Sequence, residues 1–82
     1  MEMEPMRAIV ELSDRTGITR VKASKAMGKT DAYIANAVAK GSRPRVDVYA
    51  RMVEAFGYGL YLMPPEDAPE SAIRVDASEQ PG

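Results

Sequence analysis

The 82 residues include no cysteine, no histidine and no tryptophan, and only one phenylalanine. Without cysteine there can be neither a disulfide framework nor a thiolate metal site, and without histidine the commonest metal ligand and general base is missing. Carboxylates pair only in the acidic C-terminal part, so acid–base chemistry has few groups to work with. No apolar stretch approaches the roughly 20 residues that span a bilayer. The opening MEMEPM is acidic and lacks the basic start and apolar run of a secretion signal. These absences predict a cytoplasmic, non-enzymatic protein with no cofactor, no metal and no membrane partner.

What is present is ordinary globular composition, 45% apolar and 28% charged, in a length that allows one modest core plus tails. The net charge of −1 conceals an asymmetry. Residues 1–16 hold two basic and four acidic groups, residues 17–51 eight and two, and residues 52–82 one and six. The centre is a basic island, which suits a polyanionic partner. The alternative is a solvated helix face.

Pro5 suits a helix's first turn, and Met6, Ile9, Val10 and Ser13 recur at helical spacing up to a stop at Thr16 and Gly17. A second helix is expected from a Thr19 cap through Met27, with Val21, Ala23 and Met27 inward and Gly28 as its stop. Thr30 is the expected cap of a third helix, Asp31 to about Lys40, closed by Gly41. In a fourth, about Val46 to Phe56, the residues Val46, Tyr49, Ala50, Val53 and Phe56 share one face, and Gly57 ends it. YGLYLM, residues 58–63, changes to a period of two and predicts a short strand stopped by Pro64 and Pro65. From Glu66 onward the chain is acidic and carries only Ile73 and Val75 as large apolar groups, so a disordered tail is expected over 64–82, behind a domain of residues 1–63.

The GKT at residues 28–30 resembles the end of a phosphate loop. Such a loop needs glycine five residues before the GK pair and a buried strand ahead of it. That position is Ala23, and TRVKASKAM is too charged for a core strand. Nucleotide hydrolysis is therefore not expected.

Two short helices joined by Gly28, Lys29 and Thr30 fit better with a helix, a turn and a second helix that enters the DNA major groove. The run GITRVKASKAMGKTDAYIANAVAKGSRPRVDVYARMVEAFGYGL, Gly17 to Leu60, resembles the helix-turn-helix family of phage repressors, Cro and the xenobiotic-response-element (XRE) regulators. The resemblance rests on Gly17 before a Thr cap, Met27-Gly28 at the turn, Thr30, Ile34, Pro44, and Ala55-Phe56-Gly57. The sequence departs from the family pattern at Arg20, Ala23 and Lys40-Gly41. The resemblance implies an all-α, lambda-repressor-like domain of four to five helices with a short C-terminal β-strand. It also implies a repressor of transcription that binds double-stranded DNA.

Arg20 and Lys22 sit at the positive end of the second helix, an arrangement unfavourable by ~0.3 to 1 kcal/mol per charge unless an anion is near. A phosphate on the Thr19 to Val21 amides would reverse that sign; otherwise both side chains bend into solvent. In the third helix Ile34, Ala37, Val38 and Gly41 are expected to face inward, opposite Ala32, Tyr33, Asn36 and Ala39. Small outward residues let a helix sit deep in a groove, and Asn36 can pair bidentately with adenine. An exposed asparagine can also be merely solvated.

Asp31 either accepts from a cytosine amino group or stabilises its own helix end, the second being favoured. Tyr33 contacts a phosphate or thymine methyl, or simply packs. Base reading is thus expected from Asn36, Ala32, Asp31 and Tyr33, and phosphate binding from Thr19, Arg20, Lys22, Lys29, Thr30, Lys40, Arg43 and Arg45. A homodimer is expected through strand 58–63, using Tyr58, Leu60, Tyr61 and Leu62, in an antiparallel ribbon; the alternative is a strand folded back on the first helix. A strand and an acidic tail after such a domain are also similar to antitoxin members of the family, which makes a toxin or other protein the alternative partner.

Overall fold

Pro5 presets the φ of a first helical position and lacks an N–H that would there have no partner. It opens α1, Pro5–Thr16, with Met6, Ile9 and Leu12 buried along one stripe. In the computed structural model, which describes residues 2–76, three further helices follow: α2, Arg20–Ala26; α3, Tyr33–Lys40; and α4, Val46–Ala55. The hydroxyl groups of α1 close the corner into α2. Ser13 Oγ donates to the Ile18 carbonyl at 2.7 Å, and Thr16 Oγ1 donates to the Leu12 carbonyl while accepting the Ile18 N–H.

α2 packs against α3 and α4, and α1 packs against the same two. Between them lies one core of Met6, Ile9, Leu12, Ala23, Ile34, Tyr49, Met52, Val53 and Phe56. Burying each of the larger side chains is worth about 2 kcal/mol. Tyr49 also ties α4 to the start of α1, because its buried hydroxyl donates to the Pro5 carbonyl at 2.8 Å. Among the described residues no buried side-chain polar atom lacks a partner, and no helix is long and apolar enough to cross a membrane.

Several sequence expectations are corrected here. Val21 is exposed, since the inner face of α2 runs through Ala23, Ser24 and Met27 and Val21 lies on the other side of the helix. Val46 and Gly41 are also exposed, because the first turn of α4 and the end of α3 project beyond the core; Met52 and Leu12 take inner positions instead. α3 begins at Tyr33 and not Asp31, and the Thr30 side chain does not cap it.

The largest correction concerns the strand. Residues 58–63 form no strand within the chain: no neighbouring segment offers them an edge, and the Tyr61 ring folds over Gly59. The strands form elsewhere. β1, Glu2–Met3, pairs in parallel with β2, Arg74–Val75, in the register Glu2 to Arg74 and Met3 to Val75. Asp76 N–H extends the ladder by donating to the Met3 carbonyl at 2.6 Å.

The expected tail is therefore ordered as far as it is described. Pro65–Asp67 forms one 3₁₀ turn, and Ile73 and Val75 pack half-buried on the core. Arg15 holds the approach, donating to the Ser71 carbonyl at 2.6 Å and to Glu11 at 2.9 Å. Hydrogen bonds to Tyr58 and Glu11 raise the pKa of its guanidinium further. The disorder expected for 77–82 concerns residues outside those described.

Candidate nucleic-acid interface

Ser24 sets the relation between α2 and α3. It is fully buried, its Oγ donates to the Arg20 carbonyl at 2.7 Å, and the same oxygen accepts the Ile34 N–H at 3.1 Å. Ala32 stands at the N-cap of α3 and has no side-chain acceptor. A serine ten residues earlier supplies it, serving the second amide of α3 in the way an N-cap side chain would. α2 itself is capped locally, with Thr19 Oγ1 accepting the Lys22 N–H at 3.0 Å.

The turn between the two helices depends on Gly28. Its φ of +72° is left-handed, and the Gly28 and Lys29 amides donate back to the Lys25 and Ser24 carbonyls at 2.9 and 3.0 Å. This is the two-bond helix stop that favours glycine. The glycine of the GKT run thus ends a helix.

On the outer side of α3, Tyr33, Asn36 and Lys40 follow one another at spacings of three and four residues and so lie in a line. Asn36 and Lys40 are exposed, and Ala32 and Ala39 beside them are exposed and small. Tyr33 is half-buried, packing partly on the core, while Lys29 Nζ lies 5.3 Å from its ring centre. An open depression runs beside this line, lined among others by Thr30, Tyr33, Asn36, Lys40, Ser42 and Arg43. Expected base readers and expected phosphate contacts therefore meet on one surface.

Other expected residues lie apart from it. Thr19, Arg20 and Lys22 are at the start of α2 and do not line the depression, nor do Lys29 and Arg45. Asp31 and Ala32 precede α3 and are exposed; Asp31 sits 4.0 Å from Lys25, an ion pair too exposed to contribute much. Arg45 pairs with Asp47 at 3.2 Å, and Arg43 Nη1 donates to the Asp76 carbonyl at 3.3 Å. Arg20, Lys22, Lys29 and Lys40 make no ion pair among the described residues. Tyr58, Leu60, Tyr61 and Leu62 are exposed beyond the end of α4.

Sequence reasoning missed Ser24, Ser42 and Met52. The signal for Ser24 was available: it follows Ala23 on the inner face of α2, where a hydroxyl must find partners. No group of three or more acidic residues capable of holding a metal occurs among the described residues. No family model, no curated protein and no solved structure matches the chain.

Proposed function

We propose that this chain is a sequence-specific DNA-binding regulator of transcription, a repressor that acts by occupying its operator as a homodimer. The reading takes α2, the Gly28 turn and α3 as a repressor-like helix-turn-helix. The observation that carries it is the line of Tyr33, Asn36 and Lys40 on a slim outer face of α3, with Arg43 and Thr30 alongside. Exposed alanines on either side give this face room to lie in a major groove, where Asn36 donates to and accepts from an adenine edge.

Arg20, Lys22, Lys29, Lys40, Arg43 and Arg45 then contact phosphates, fixing depth and register without reading sequence. Arg43 and Arg45 give up only weak, exposed partners to do so. One such module reads a few base pairs, so two copies on half-sites about 34 Å apart supply the rest. The reading assigns the chain no catalysis, in keeping with a sequence that has neither histidine nor cysteine. The antitoxin-like alternative is less favoured, because Ile73 and Val75, the apolar groups a partner would take from the tail, pack on the chain's own core.

Selection of bound duplexes from a random pool tests the proposal. A palindromic consensus is expected, and Asn36→Ala should erode preference at one base position per half-site, by about 1 to 3 kcal/mol. Recovery of a random pool from the purified chain would refute it.

A further inference from the structure

Beyond α4 the chain runs through Gly57-Tyr58-Gly59-Leu60-Tyr61-Leu62-Met63-Pro64-Pro65, nine residues without a charge. The Tyr58 amide still donates to the Val53 carbonyl, at 3.2 Å. From Gly59 to Met63 no hydrogen bond of any kind is made within the described chain. Five successive residues thus offer their backbone donors and acceptors to something else. Their side chains are uncovered too: relative exposure is 102% for Leu62, 76% for Tyr61, 46% for Met63 and 39% for Leu60.

We infer that residues 58–62 pair with the same residues of a second copy, as a two-stranded antiparallel ribbon across a two-fold axis. Neutrality favours a copy over a charged partner, since the segment meets itself with no like-charge repulsion and leaves no ion unpaired. The area is sufficient. The large side chains of the segment expose roughly 600 Å² per copy, so covering both removes roughly 1,200 Å², the lower bound for a specific interface. A reversible dimer is the form such an area supports.

Symmetry fixes the register. A two-fold axis normal to an antiparallel ribbon sets residues of the same parity opposite one another, so one residue must face its own copy. With Leu60 on the axis, Tyr58 faces Leu62 and Gly59 faces Tyr61. Tyr58, Leu60 and Leu62 of both strands then form one apolar face. Gly59, whose missing side chain already leaves room for the Tyr61 ring, leaves the same room for the partner's ring. Pro64 and Pro65, which have no N–H, end the ladder.

The pairing supplies the homodimer that the proposed function needs, but its test contains no DNA and stands or falls alone. Sedimentation of the full chain should show a concentration-dependent shift from 8.9 kDa to twice that mass. Leu62→Asp and Leu62→Lys should both remain monomeric, with helical circular dichroism and melting temperature unchanged from the dilute wild type, because Leu62 buries nothing within its own chain. In a chain otherwise free of cysteine, Leu60→Cys should oxidise to a covalent dimer faster than Leu62→Cys. A wild type that stays monomeric at the highest soluble concentration, or a Leu62→Asp variant that dimerises as well as wild type, would overturn the pairing. Faster cross-linking at position 62 would overturn the register.

Discussion

Ser24 and Tyr49 each join two parts of the chain through a single oxygen. Removing the Ser24 hydroxyl leaves the buried Ile34 N–H without an acceptor, a loss expected to cost about 1 to 3 kcal/mol. Ser24→Ala should lower the denaturant midpoint accordingly, and since α3 loses its tie to α2, DNA selectivity should fall with it. A loss below about 0.5 kcal/mol would mean that the amide finds water or another acceptor. Tyr49 carries a pH signature. Burial raises its phenol pKa to about 12 from an ordinary 10. The folded state keeps the proton where the unfolded chain has released it, so this contribution is whole below pH 10 and is lost as pH rises toward 12. Tyr49→Phe should cost about 1 kcal/mol at neutral pH through the lost bond to the Pro5 carbonyl. It should also flatten the decline in stability between pH 10 and 12. Parallel declines in the two proteins would contradict the assignment.

Two threonines separate real helix caps from apparent ones. Thr19→Ala removes the acceptor of the Lys22 amide and is expected to destabilise by about 1 kcal/mol, whereas Thr30→Ala should leave stability nearly unchanged. Equal losses in thermal or denaturant melts would contradict the capping assigned to Ser24. The same contrast explains what could be read from the sequence. α1 was legible to the residue because Pro5 and Gly17 are local signals, and α4 because its apolar period is regular. The start of α3 was not legible, since its cap comes from another helix and Thr30 offered a plausible local substitute. Pairing of Glu2–Met3 with Arg74–Val75 was hidden for a similar reason: two-residue strands some seventy positions apart carry no period. At the site, the exposure of Asn36 and Lys40 followed from helical periodicity. The Ser42 and Met52 walls of the depression depend on how the loop after α3 returns to α4, which no local pattern states.

Across the whole molecule the charge is sorted by region. The basic middle supplies the outer surface of α2, α3 and the loop after it, while the acidic C-terminal part passes along α1 and reaches Arg43 through the Asp76 carbonyl. If six cations per copy meet phosphates, affinity for any duplex should fall about a thousandfold between 50 and 200 mM salt. Asn36 adds preference on top of that sequence-independent attraction. The most direct measurement is therefore affinity over a salt series, for wild type, Asn36→Ala and Lys40→Ala, on a selected duplex and on a scrambled one. Lys40→Ala should weaken both duplexes alike and reduce the salt slope by about 1 per copy, while Asn36→Ala should weaken the selected duplex alone. An affinity indifferent to salt, or an Asn36→Ala variant that loses equally on both duplexes, would contradict the account.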